Sequence, residues 1–237
     1  MRPRRVLLSW SSGKDSAWTL HVLRQDPTLE VGGLLTTVNE DANRVAMHAV
    51  RRALLASQAR AAGLPLWVVP IPHQCSNEIY EQRMAAAVER ATTAGFTHVA
   101  FGDLFLEDVR QYRESKLAGS GLTPIFPLWG QPTPDLARAM LAGGLRAKVT
   151  CLNPRVVSRS VAGREFDADF LDELPETVDP CGERGEFHTF AYAGPMFDAP
   201  IAVTNGEIVE RDGFVFADLL PVSDLESRTP NPESRVR

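Results

Sequence analysis

Ser9, Ser11, Ser12, Gly13, Lys14, Asp15 and Ser16 bring four hydroxyls, a glycine, an ammonium and a carboxylate into eight successive positions. Hydroxyls and backbone N–H groups donate to an anion, Gly13 lets the main chain come close, and Lys14 adds a full positive charge. That combination is suited to gripping phosphate. It does not have Walker A spacing, because Leu8 stands where the first glycine is needed and Asp15 where Ser or Thr should follow the lysine. An aspartate beside phosphates repels them unless it caps the helix or holds Mg²⁺, and Asp15 suits either role. A strand-to-helix turn with no ligand is the plain alternative.

A second concentration of chemistry runs from Asp179 to Phe190 and holds Glu183, Glu186 and His188. Pro180, Gly182 and Gly185 make a loop that feeds an extended segment, where period two sets Glu186 and His188 on one side. Two carboxylates and an imidazole near phosphate could position ammonia, accept its protons or bind metal. The alternative is a glycine turn leading into a strand with a solvated polar face. Cys181 beside His188 leaves a nucleophilic thiol open as a further reading.

These residues need a frame to position them. Apolar runs at Val6–Trp10, Leu29–Val38, Leu66–Ile71 and Phe96–Gly102 read as strands, alternating with helical patterns near Lys14–Arg24, Arg44–Ala62 and Asn77–Ala94. Met47, Val50, Leu54 and Ala61 carry the helical spacing of the second helix, and Gly63 with Pro65 stops it. Such alternation implies a parallel sheet with helices on both faces and ligands beyond the carboxyl ends of the strands. Three strand ends then converge: Ser11–Ser16, Thr36-Thr37 and Gly102-Asp103. Thr36 and Thr37 could offer hydroxyls to a nucleotide, or be no more than β-branched strand residues. Asp103 could hold Mg²⁺ or cap the next helix, a role also open to Asp108. His48, near the start of the second helix, is a weaker nucleotide-side candidate.

Glu107 to Leu117 reads as a charged, solvated helix with i,i+4 ion pairs, and the Pro-rich run Leu122–Gly130 as a crossover to a second unit. Thr133 caps a helix with Pro134 at its first position, and Leu145, Ala147, Val149 and Cys151 alternate as one face of a strand. Asn205-Gly206 signals a type I′ hairpin turn and Asp212-Gly213 another turn. The divisions expected are residues 1–120 for nucleotide binding, 121–222 for the substrate side, and a polar, disordered tail at 223–237.

A net charge of −5 argues against bulk nucleic-acid binding. Three scattered cysteines favour reduced thiols over a disulfide framework or a zinc site. Neither a membrane-length apolar run nor a signal-peptide pattern stands out, so the expected location is cytoplasmic, away from membranes.

Taken together, the motifs resemble the diphthine–ammonia ligase-like family of the ATP pyrophosphatase (PP-loop) superfamily. Ser11–Ser16 is similar to its pyrophosphate loop Ser-Gly-Gly-x-Asp-Ser, with Ser12 in place of the first glycine. Phe101-Gly102-Asp103 with Arg110 and Glu114, then Pro127-Leu128-Trp129, and finally Cys181 to Thr189 extend the likeness over roughly Val6 to Pro221. The resemblance implies an α/β fold, a Rossmann-like (HUP-type) parallel sheet with helices on both faces, followed by a smaller α+β domain. It implies ATP and Mg²⁺ as cofactors, with a carboxylate that is adenylated and then amidated by ammonia or an amine, releasing AMP and pyrophosphate. ATP would lie on Ser9, Ser11, Ser12, Gly13, Lys14, Asp15, Ser16, Thr36, Thr37, Gly102 and Asp103, and the metal on Asp15 and Asp103. Catalysis would fall to Lys14, Glu183, Glu186 and His188. Diphthine–ammonia ligases carry Glu-Gly-Gly-Glu where this chain has Cys181 to Glu186, a form closer to the family's bacterial members. Bacteria do not make diphthamide, so the acceptor, whether small or protein-borne, is left open, as is a homodimer. A tRNA-modifying PP-loop enzyme and a non-catalytic adenine-nucleotide sensor are the rival readings.

Overall fold

The computed structural model describes residues 2–40, 44–45, 50–72 and 75–222. In chain order the first sheet and its helices are β1 (Arg4–Ser9), α1 (Lys14–Leu23), β2 (Leu29–Asn39), β3 (Arg44–Val45), α2 (Arg52–Ala61), β4 (Leu66–Ile71), α3 (Asn77–Thr93), β5 (His98–Ala100), α4 (Glu107–Leu117) and β6 (Thr123–Ile125). β2 lies between β4 and β1, and β5 and β6 follow on the other side of β1, all in parallel pairing. Period two along β1 sends Val6 and Leu8 into one apolar cluster with α1 and α2, and Leu7 into another with α3 and α4. Helices therefore cover both faces, and the sheet is Rossmann-like. The strand order reverses between β1 and β5, so the loops leaving those two strands open a crevice at the sheet's carboxyl edge.

Three local expectations change. The helix expected from Arg44 begins at Arg52, because Arg44 and Val45 pair instead with Asn39 and Val38 as a short antiparallel strand. Met47 and His48 lie outside the described residues, as does the tail at 223–237. β6 falls after the expected division at residue 120, yet its hydrogen bonds to β5 make it part of the first sheet. Thr133 is the first residue of its helix rather than the cap, and its hydroxyl donates to Asp179 Oδ2 at 2.6 Å.

The remainder is a smaller α+β unit of α5 (Thr133–Ala142), β7 (Arg146–Leu152), α6 (Ala168–Glu173), β8 (Phe187–Ala193), β9 (Val203–Arg211) and β10 (Phe214–Pro221). Its sheet is antiparallel, ordered β8-β7-β10-β9. Asn205-Gly206 does not turn the chain. It sits within β9, where Asn205 Nδ2 donates to Gly163 O at 2.9 Å, and the reversal falls at Asp212-Gly213, both with positive φ. No helix among the described residues is long and apolar enough to cross a membrane.

The two units share one core, since the cluster around Val6 and Leu8 runs on into Phe166, Phe170 and Phe187. Arg51, just before α2, reaches Asp218 of β10 through Nε and Nη2, the latter at 2.5 Å. Buried Gln58 does more. Its Oε1 accepts from Trp10 Nε1 at 2.9 Å, while Nε2 donates to Ser12 O at 2.9 Å and Ala191 O at 2.6 Å. One amide thus joins α2, the loop after β1, and β8. Gln58→Leu strands the Trp10 donor and weakens both carbonyls, so it is expected to cost about 2–3 kcal/mol in urea denaturation. A loss below about 0.5 kcal/mol would show that the amide holds nothing in place.

Candidate functional site

The loop between β1 and α1 owes its shape to partners elsewhere. Ser12 stands at φ 70°, the left-handed region that glycine takes freely, and its side chain is buried. Its carbonyl accepts from Ala191 N at 3.0 Å as well as from Gln58. Gly13 is the N-cap of α1 and supplies no side-chain acceptor. The capping hydroxyl comes instead from Thr189 of β8, whose Oγ1 accepts from Lys14 N at 3.0 Å. Ala17 N closes the first turn onto Gly13 O, so the amides of Asp15 and Ser16 precede the first intrahelical bond and are donors of the kind an anion takes.

Lys14 is almost wholly buried. Its Nζ pairs with Asp15 Oδ2 at 2.9 Å and donates to Cys181 O, which takes two of the ammonium's three donors. The Phe166 and Phe187 rings flank it at 5.6 and 5.4 Å. Burial by itself pulls the ammonium down, but Asp15 beside it, with Cys181 and Glu183 behind, holds it above its ordinary range. Asp15 therefore serves neither as cap nor as a free carboxylate.

Facing this loop is the segment from Asp179 to Glu186, held by its own carboxylates. Asp179 Oδ1 accepts from Cys181 N at 2.9 Å and Glu183 N at 3.3 Å, an Asx-type turn. Glu186 is buried, with Oε1 accepting from Asp179 N at 3.1 Å and Oε2 from Arg184 N at 2.9 Å. Gly182, at φ 68°, admits no side chain, because a Cβ there would stand 2.6 Å from Phe187 O.

Between the two loops lies a cavity of about 260 Å³. Ser9, Ser11, Lys14, Asp15, Ser16, Gly102 and Asp103 line it from the first unit, and Cys181, Gly182, Glu183, His188 and Thr189 from the second. Gly102 lets the β5 edge press on α1, since a Cβ there would lie 3.1 Å from the Asp15 carbonyl carbon. Several expected residues are thus brought together and others are not. Glu186 does not line the cavity, and its carboxylate is engaged by backbone N–H groups, a brace rather than an acid or base. Thr36 and Thr37 lie in β2, outside the lining. Asp103 is paired with Arg113 Nε and Nη2, the latter at 3.0 Å, and does not cap α4.

Arg113 and Thr189 line the cavity without having been singled out by sequence. Arg113 was submerged in a charged helix, and Thr189 meets Lys14 across 175 residues. Only the Asp-Pro-x-Gly run at Asp179 carried a usable turn signal.

The electrostatics follow from burial. Glu183 Oε1 accepts from Leu104 N at 2.8 Å, yet burial, reinforced by Asp15 and Asp103, lifts its carboxyl to about 7. Burial, then Lys14, lowers the His188 imidazole to about 4, so it is neutral at pH 7. Burial pushes the Cys181 thiol to about 12, away from the thiolate that a nucleophile needs. The ionisable lining is Lys14 and Arg113 against Asp15, Asp103 and Glu183, more acids than bases beside a phosphate-type loop. Asp15 Oδ1 is buried with no hydrogen-bond partner among the described residues, which fits a cation arriving with phosphate. No three metal-ligating side chains cluster among the described residues, so Mg²⁺ here would draw most of its ligands from phosphate and water, as is its habit. Ser12 Oγ and Thr36 Oγ1 are likewise buried without hydrogen-bond partners among the described residues.

Two family models match the chain: the diphthamide synthase N-terminal domain over residues 4–124 and the diphthamide synthase C-terminal domain over residues 133–218. Diphthine–ammonia ligase of Homo sapiens is 30% identical over 139 residues, covering 55% of this chain and 51% of that protein. The Mus musculus protein of the same name is 29% identical over 146 residues, covering 58% and 52%. The match therefore spans about half the length of these curated relatives. A solved structure from Methanocaldococcus jannaschii, titled a predicted subunit of tRNA methyltransferase, aligns at TM-score 0.41 and 16% identity over 62% of this chain and 80% of that one. That likeness is too slight to build on.

Ser12→Gly removes both a left-handed serine and an orphaned buried hydroxyl, so it is expected to raise stability by about 1 kcal/mol in urea denaturation. A loss of stability would show that the serine is not strained.

Proposed function

The chain belongs to the diphthamide synthase family, both of whose domain models it matches, and from that premise we propose that it is an ATP-dependent, amide-forming ligase of the PP-loop type. The observation that carries the reading is the single cavity between a phosphate-type loop and a second loop that presents Glu183 and His188. The cavity is smaller than the roughly 300–1,000 Å³ that encloses a whole drug-sized ligand, so it takes the phosphate end of ATP while the adenosine extends outside it.

In this mechanism the acceptor carboxylate oxygen attacks the α-phosphorus, and the bond to the β-phosphate oxygen breaks with release of pyrophosphate. The Asp15 and Ser16 amides, the nearby serine hydroxyls and the Lys14 ammonium hold the β- and γ-phosphates as charge develops on the leaving group. Mg²⁺, held in part by Asp15 and Asp103, would supply further neutralisation. Ammonia nitrogen then attacks the acyl carbon, AMP leaves, and the surplus proton passes to Glu183. A carboxylate titrating near 7 is matched to that task at neutral pH. His188, neutral and deep in the same wall, orients the nitrogen or the acyl oxygen by hydrogen bonding. Glu186 and Asp179 are positioning residues that fix the loop. An adenine-nucleotide sensor would have no use for a base of this kind.

The test is product analysis with ATP, Mg²⁺, ammonium and a panel of carboxylates. AMP and pyrophosphate should form, and the rate should climb with pH through about 7 as Glu183 ionises. Glu183→Gln should lose that limb and about a hundredfold in rate while still binding ATP. ADP and phosphate as products, or an unchanged pH profile in Glu183→Gln, would refute the mechanism.

A further inference from the structure

Phe101 and Arg113 belong to two cavities at once. Besides lining the phosphate cavity, they line a larger one of about 670 Å³ that opens between α3 and α4. This volume falls within the roughly 300–1,000 Å³ typical of sites that enclose a small molecule. Tyr80, Met84, Val88, Tyr112 and Leu117 give it an apolar and aromatic wall. Of the 17 residues of α3, Ala91 alone is fully buried, and Tyr80, Met84, Ala87 and Val88 are only partly covered where they pack against the second apolar cluster.

Charge in the groove is unevenly placed. Lys116 is paired with Glu81 at 2.6 Å, and Glu89 adds a further carboxylate on α3, so the α3 wall suits the body of a ligand and not its carboxylate. At the junction with the phosphate cavity, Arg113 lies 4.5 Å over the Phe101 ring and spends Nε and Nη2 on Asp103. Its Nη1 donates no hydrogen bond to the described residues, and a guanidinium is the donor best shaped for a carboxylate.

We propose that the α3–α4 groove binds the acceptor, a small carboxylic acid with an apolar, preferably aromatic, body. The body lies among Tyr80, Met84 and Val88, and the carboxylate rests on Arg113 Nη1 where the two cavities meet, facing the phosphates. The assignment of acceptor rests on the ligase reading. The groove's binding chemistry does not, and it can be tested without ATP.

Met84 provides the probe, because it lines the groove whereas Met140 and Met196 are fully buried in the other apolar cluster. The full chain, labelled with ¹³C-methyl methionine, is titrated by NMR with 3-phenylpropanoate and, separately, with 3-phenylpropan-1-ol. The acid should shift the Met84 signal saturably and leave Met140 and Met196 in place. Arg113→Gln should weaken the acid about tenfold or more without changing the alcohol. Val88→Trp, which fills the groove, should abolish the Met84 response, and unmoved Met140 and Met196 signals in either variant report an intact fold. Silence of Met84 up to about 10 mM acid, equal binding of acid and alcohol, or indifference to Arg113→Gln would each overturn the proposal. Calorimetry of ATP on the same samples separates the two claims. ATP binding with a silent Met84 removes the groove alone, whereas failure to bind ATP removes the ligase reading and leaves the groove as a carboxylate site.

Discussion

The structure depends on the hydrogen bonds that β8 and the loop before it make to the first turn of α1. A short run of serine and glycine has no preferred shape of its own, and here its shape is imposed from the other unit. Ala191 N and Gln58 Nε2 fix the Ser12 carbonyl, Thr189 caps the helix in place of the absent Gly13 side chain, and Lys14 reaches Cys181 O. The consequence is geometric. The phosphate-type loop and the Glu183 loop cannot be set independently, because each is part of the other's support. A shared core and the Arg51–Asp218 pair make the same coupling over a longer range.

Electrostatics turns that geometry into a working environment. A buried ammonium is costly unless it is paired, and Asp15 pairs Lys14 while the two phenyl rings limit its solvation. The same exclusion of water separates two groups that would otherwise titrate closer together. Glu183 is driven up and His188 down, which leaves one ready proton acceptor and one neutral hydrogen-bonding group in a single wall. Asp103 and Arg113 balance each other at the cavity's edge, and Arg113 also carries the cavity's boundary into the α3–α4 groove.

Much of this was legible in the sequence because local signals are dense where the backbone is most constrained. The apolar runs of β1, β2 and β4, the Lys14 to Ser16 helix start and the glycine-rich turn at Cys181 to Gly185 all depend on near neighbours in the chain. What was hidden depends on distant residues or on the folded shape of a loop. Gln58 looks like a surface helix residue until its three partners, one of them 133 positions away, are known. Glu186 has the residue type of an acid or base, but period two says nothing of the two N–H groups that claim its carboxylate. Asn205-Gly206 has the preferred turn chemistry, and tertiary pairing along β10 overrides it. For Gln58 and Asn205 a long-range contact outweighed a local propensity, whereas for Glu186 it was the fold of its own loop that did so.

The most direct test of the central claim, that the two loops form one site for the phosphates of ATP, is a crystal structure with α,β-methylene-ATP and Mg²⁺ bound. The account predicts the β- and γ-phosphates on the Asp15 and Ser16 amides, with the α-phosphorus next to the wall formed by Glu183 and His188. An ordered nucleotide whose phosphates lie away from Ser11–Ser16, or whose α-phosphorus is remote from the Glu183 loop, would contradict it.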